Sequence, residues 1–182
     1  MRKLKHRHPS LFDEKDVACV MIAALCHDLG HGPNSHLWEE FIKEVRAQDN
    51  NNGGKDESAY KHEDMTIKVF EDLVDSNGLK EALKALCGLD DRDFVFIKVG
   101  LTFLVIKYFY RPSSFVLQEV MTGLPMGDCE DAWPYQGRGE EKAFLYEVVA
   151  NKRSGIDVDK WDYFERDNYY LNIGISSDPM GT

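Results

Sequence analysis

A chain of 182 residues is long enough to bury one core, and 43% hydrophobic with 30% charged residues is the balance of a folded domain rather than a disordered tract or a membrane bundle. A formal net charge of -10, with a pI near 5.0, argues against broad attraction to nucleic acid, whose phosphates are held by cations. Nucleic acid is therefore a weak expectation as a partner, and a membrane is not expected at all.

Residues 1–13 read as a tail. Arg2, Lys3, Lys5 and Arg7 make it basic, but no apolar core of signal-peptide kind follows. Residues 14–26 contain no Gly or Pro and place Val17, Val20, Met21, Ala24 and Leu25 at helical spacing. This predicts a largely buried helix that delivers His27 and Asp28 at its C-terminal end. Gly30, Gly32 and Pro33 then forbid a smooth continuation, and Ser35 is the expected N-cap of a helix from His36 toward Gln48.

Asp49 to Ser58, with its Asn-Asn-Asn-Gly-Gly run, reads as an exposed loop. Helices are predicted over Glu63–Asp75 and Leu79–Leu86, with Ser76-Asn77-Gly78 as the turn between them. Val99 to Gln118 is an apolar and aromatic run that periodicity cannot divide between helix and strand; its most apolar stretch, Val99 to Tyr110, is interrupted by Lys107 and is shorter than the ~20 residues of a membrane-spanning helix. Thr122 to Gly139 reads as loop, and Glu141–Ala150 and Asp157–Tyr169 as helices, so the fold class is all-α. Four cysteines, Cys19, Cys26, Cys87 and Cys129, show no CxxC spacing, and two lie in apolar runs. Free thiols in a reducing, intracellular compartment, nuclear or cytosolic, are expected.

The chemistry concentrates in two segments. In the first, His27, Asp28, His31 and His36 lie close together, and imidazole nitrogen with carboxylate oxygen suits a divalent metal such as Zn, Fe, Mn or Mg. One such histidine is usually a satisfied core or surface residue; a cluster this dense needs a stronger explanation. A metal held there activates water against phosphorus, which points to hydrolysis of a phosphate ester or anhydride. In the second segment, Lys160, Tyr163 and Asp167 share one helical face, and Asp159 offers another hard ligand. Lys160 suits phosphate oxygens and Tyr163 can donate a hydrogen bond. Standing alone, this segment would read as a solvated charged face with Trp161 and Phe164 buried.

Leu25-Cys-His-Asp-Leu-Gly-His-Gly-Pro33, Asp-Ser-Asn-Gly, Trp-Pro-Tyr and Asn151-Lys-Arg-Ser-Gly-Ile-Asp-Val-Asp-Lys-Trp-Asp-Tyr-Phe164 resemble the SAM and HD domain-containing deoxynucleoside triphosphate triphosphohydrolases of animals. The resemblance implies a partial HD-domain helical bundle, with a family-like core over 14–98 and 133–174, an unmatched insertion over 99–118 and a tail over 175–182. It implies His27, Asp28 and Asp159 as metal ligands, and His31, His36 and His62 as histidines of the phosphate-lined catalytic step. Asp157, Lys160, Tyr163 and Asp167 are implied as substrate contacts. Glu39 stands where the family has an Asp partnering the His36-like residue, so it joins the catalytic set.

The family cleaves a deoxynucleoside triphosphate to the deoxynucleoside and inorganic triphosphate and works as a nucleotide-regulated tetramer. Its metal site takes one further His from an upstream segment. His6 and His8 sit in a different context and are not expected to replace that ligand. Weak or background activity is therefore expected of this chain, without binding of regulatory GTP or dNTP and without tetramer assembly. Two other readings stand beside it: an HD phosphohydrolase acting on another nucleotide or phosphoester, and a non-catalytic fragment that modulates a full-length subunit.

Overall fold

Asp13 caps the helix that carries the first motif. Its side chain accepts from the Asp16 backbone N–H, while Asp16 accepts from the Asp13 N–H, each at 2.9 Å, a reciprocal capping box. The computed structural model describes residues 1–50, 60–102, 137–151, 154–172 and 174. Among them the chain forms α1 (Arg2–Arg7), α2 (Glu14–Cys26), α3 (His36–Asn50), α4 (His62–Ser76), α5 (Leu79–Cys87), α6 (Asp91–Thr102), a 3-10 turn (Glu140–Leu145), α7 (Tyr146–Val149) and α8 (Val158–Leu171), with no strand. The all-α expectation holds. No helix among the described residues is long and apolar enough to cross a membrane.

α2 is the central element. Val17, Cys19, Val20 and Ala23 bury one of its faces against α6, where Phe94, Phe96, Ile97, Val99 and Leu101 are buried in turn. α4 adds Ile67, Phe70 and Val74, and the 3-10 turn with α7 adds Leu145, Tyr146 and Val149. Each of the Val, Leu, Ile and Phe side chains among them contributes about 1.5–3 kcal/mol by leaving water. Cys19 and Cys26 are buried free thiols, as their apolar setting suggested.

Several sequence expectations change here. Residues 1–13 are not simply a tail. They form α1, tie Lys5 to Glu14 at 2.7 Å and place Phe12 in the core edge-on to Phe144, because an apolar ring beside a capped helix has a surface to bury. Ser35 is not in the extended conformation of an ordinary N-cap; Asn34 and Ser35 have φ values of 63° and 53°, so a left-handed turn introduces α3. α6 carries on through Lys98 into the run left undecided at Val99 and ends at Thr102. The expected helix over Glu141–Ala150 is broken by Lys142 (φ -108°, ψ 16°) into a 3-10 turn followed by one α turn. The remainder of 99–118, the loop over 122–136, the Trp-Pro-Tyr motif and most of the 49–58 loop lie outside the described residues.

Arg138 locks these helices together. Its guanidinium pairs with Asp16 of α2 and, at 2.6 Å, with Asp93 of α6, while lying 4.6 Å over the Phe96 ring. Lys142 shares Asp16, and the Arg138 backbone N–H donates to the Tyr146 hydroxyl at 2.9 Å. Asp16 is fully buried, so its charge depends on these cations.

Candidate metal centre and active site

α2 ends at Cys26, and the chain continues in helical conformation through His27 before turning. The His27 ring is buried, and its Nδ1 lies 2.8 Å from the Ala24 carbonyl. A carbonyl can only accept, so Nδ1 carries a proton, and in the neutral ring Nε2 is then a bare lone pair. That Nε2 is buried with no hydrogen-bond partner. Asp28 Oδ2 stands 3.4 Å from it and Asp159 Oδ1 3.6 Å. Three electron-rich atoms facing one another beyond hydrogen-bond length are disfavoured unless a cation lies among them.

The three ligands predicted for a metal thus converge, from the C-terminal end of α2 and the first turn of α8. The helix dipole makes the first of these ends attractive to a cation. The donor set of one imidazole and two carboxylates, with the orphaned His27 Nε2, fits a divalent metal of the zinc, iron or manganese type. His6 and His8 are exposed and stand outside this group.

A second cluster abuts the first. His31 and His62 stack with ring centroids 3.9 Å apart at 13°, and His36 meets both edge-on at 5.1 and 5.4 Å. His31 Nε2 lies 3.6 Å from Asp28 Oδ1, so the Asp28 carboxylate points one oxygen at each cluster. Glu39 accepts from the His62 backbone N–H at 3.0 Å and from its ring Nδ1. Its separation from His36 is 4.0 Å, so the expected partnership changes hands: Glu39 orients His62, because α4 brings the His62 backbone onto the carboxylate while His36 stays 74% exposed. Burial depresses the His31 pKa, and the neighbouring His62 depresses it further. Burial raises the Glu39 carboxyl, but the hydrogen bonds from His62 outweigh it and the net shift is downward.

Gly30 and Gly32 interrupt the helix as expected, but not through a left-handed backbone, since the positive-φ glycines of the described residues lie elsewhere. A Cβ on Gly30 would stand 1.9 Å from the His62 carbonyl oxygen and 2.2 Å from the Thr66 nitrogen, and one on Gly32 would meet the Trp38 ring at 2.1 Å. They are needed for close approach. Thr66 and Tyr60, which sequence reasoning missed, hold this turn: Gly30 N–H donates to the Thr66 hydroxyl at 2.8 Å, and the Tyr60 hydroxyl donates to the Gly30 carbonyl at 2.5 Å. No spacing signal marks either residue.

On α8, Asp157 is the N-cap. Its carboxylate accepts from the Lys160 N–H at 3.1 Å and the Asn151 N–H at 2.7 Å. Lys160 and Tyr163 are half-buried and Asp167 is exposed. Trp161 and Phe164 are exposed as well, contrary to the bland reading of this helix as a charged face over a buried aromatic one.

Among the described residues, an all-helical core ends one helix in a His-Asp pair and answers it with a distant Asp, which defines a helical domain with a candidate metal site. Residues 1–89 match the HD domain. It is similar to the deoxynucleoside triphosphate triphosphohydrolase SAMHD1 of Bos taurus, with 42% identity over 98% of this chain and 26% of the relative. The protein of the same name in Danio rerio is 44% identical over 95% of this chain and 24% of its own length. The SAMHD1 homolog of Dictyostelium discoideum is 34% identical over 93% of this chain and 24% of its own. The chain therefore spans about a quarter of the length of these relatives.

Proposed function

We propose that this chain is the metal-binding and catalytic part of a phosphohydrolase that cleaves deoxynucleoside triphosphates to deoxynucleoside and inorganic triphosphate. The observation that carries this reading is the His27 Nε2, buried, bare and facing Asp28 and Asp159. The names of the relatives supply the substrate class.

In this reading His27, Asp28 and Asp159 hold one divalent cation, of a kind their ligand types leave open among Zn, Fe, Mn and Mg. Such an ion supplies Lewis acidity at a phosphate oxygen. With its Nδ1 proton committed to Glu39, His62 offers Nε2 as a base. His31, its pKa held down by burial and by the neighbouring His62, offers an imidazole as a proton acceptor, and exposed His36 closes the edge of the histidine cluster toward the leaving oxygen. Lys160 acts as a point charge on phosphate oxygens, Tyr163 donates a hydrogen bond, and Asp167 extends the same face toward the substrate. Asp157 fixes the α8 N-terminus with one hydrogen bond to each oxygen, and the second acceptor site of each oxygen remains for substrate.

Three protein donors leave the remaining positions of the ion to water or to a phosphate oxygen. Metal analysis of the purified chain, with assays for inorganic triphosphate from dGTP and for phosphate from other nucleotides, tests the reading. Stoichiometric metal with traces of triphosphate supports it. Phosphate release from other nucleotides without triphosphate would favour an HD phosphohydrolase of different substrate. The exposed Trp161, Phe164, Tyr169, Tyr170 and Leu171 of α8 favour a second reading, a non-catalytic fragment that docks on a longer subunit. Failure to co-purify with that subunit would dispose of it.

A further inference from the structure

Thr66 is fully buried on α4, one turn beyond His62. Its hydroxyl is used in both directions, accepting from the Gly30 N–H at 2.8 Å and donating to the His27 carbonyl at 3.2 Å. Tyr60 donates to the Gly30 carbonyl at 2.5 Å, so both polar groups of Gly30 are held by side chains of the 60–66 segment. The turn these bonds grip is the one that carries His27 and Asp28, and it leads directly to His31. The helix they grip it with begins at His62, the residue on which His31 stacks.

A hydroxyl is the one small group that can answer a buried N–H and a buried C=O at once. Valine has nearly the same shape and answers neither, while serine answers both. The missing Cβ of Gly30 belongs to the same device, because a methyl there would strike the Thr66 nitrogen and hydroxyl. The contact is therefore close by construction, and its polarity is specific.

We infer that Thr66, assisted by Tyr60, is a positioning residue for the metal centre. Its hydroxyl sets the His27–Gly30 turn against α4, so that His27 Nε2 and Asp28 face Asp159 while His31 stays in register with His62. The inference rests on the metal-centre reading above and goes beyond it by naming what holds the two clusters in one frame.

The test compares Thr66→Val, Thr66→Ser and Tyr60→Phe in the full chain. One readout is Co2+ affinity, followed by visible absorption. The other is the 15N shifts of the His27 ring in metal-free protein, which report the Nδ1-protonated tautomer. Outer-shell partners of metal ligands are worth about 10–100-fold in affinity, so Thr66→Val should bind Co2+ at least about tenfold more weakly and lose the single tautomer at unchanged helix content. Thr66→Ser should match the parent in both. Parent-like behaviour of Thr66→Val overturns the inference, and so does a Thr66→Ser as impaired as Thr66→Val, since methyl packing would then be responsible. If the parent binds no Co2+, the metal reading fails and the ring shifts alone judge Thr66: a change in Val that Ser reverses supports it, and no change overturns it. Should Thr66→Val not fold, Tyr60→Phe decides, with a loss in the same direction in support and an unaltered turn against.

Discussion

Glu39 receives two hydrogen bonds from His62, one from the backbone and one from the ring, and so fixes which edge of that imidazole stays open. The consequence for pH follows from the carboxyl. Its folded value lies below the ordinary 4.5, because the His62 bonds outweigh the burial that raises it. A carboxylate depressed by folding contributes stability that is complete above its unfolded value and disappears as pH falls through its folded one. Urea midpoints of the parent should therefore drop as the pH is taken from about 5 downward, and Glu39→Gln should be less stable at pH 7 with a shallower acid slope. An unchanged slope in Glu39→Gln would assign the acid response to other carboxyls.

Metal should stabilise the chain by mass action. At about 100 times its dissociation constant, a cation that binds only the folded state adds about 2.7 kcal/mol. Thermal unfolding with and without Mn2+ or Co2+ should show that gain, a chelator should reverse it, and Asp159→Asn should remove it. Stabilisation that survives both Asp159→Asn and His27→Gln would place the ion somewhere else.

Arg138→Met should be among the most damaging single changes outside the site. It leaves the buried charges of Asp16 and Asp93 without their main partner, and breaking such a pair costs about 3–5 kcal/mol. Adding Asp16→Asn and Asp93→Asn to Arg138→Met should recover part of the loss in equilibrium unfolding, because fewer charges are then stranded.

Gly30→Ala tests the close approach of the turn to α4. With the His62 carbonyl at 1.9 Å from the added carbon, backbone has to move, and overpacking of this sort costs about 1–3 kcal/mol. Denaturant titration should register that loss together with weaker metal binding. A fully stable Gly30→Ala that binds metal normally would show that the turn can relax at no cost.

The legible parts of the sequence were those with a local signature. The apolar spacing of 14–26 marked α2, although Met21 and Leu25 of that pattern stay exposed and Cys19, Ala23 and Cys26 share the buried face instead, and the density of His27, Asp28, His31 and His36 marked the site. The second motif pointed to Asp159, which the fold brings to His27 across the whole chain. α6 carried a readable signal that went unused: the Asp90 side chain accepts from the Asp93 N–H and the Asp93 side chain from the Asp90 N–H, an acid pair three apart just before an apolar run. Other features had no local trace. Arg138 finds Asp16 over a separation of 122 residues, and Thr66 reaches Gly30 over 36. Glu39 could be named as an acid of the site, but its choice of His62 over His36 depends on how α3 and α4 cross, which spacing does not encode.

α8 has no buried residue along its length and packs on the four-residue α7, yet its first turn supplies Asp159. An element with so little apolar area holding it opens far more readily than the α2–α6 core and forms its own exchange-labile unit. Occupancy of the metal centre and docking of this helix are therefore one linked equilibrium. Each amide of Val158–Leu171 should gain hydrogen-exchange protection in proportion to the ion bound at its first turn, while amides of α2 and α6 stay near the global limit. In this chain, the ion would act as the clasp that decides how long the helix stays closed.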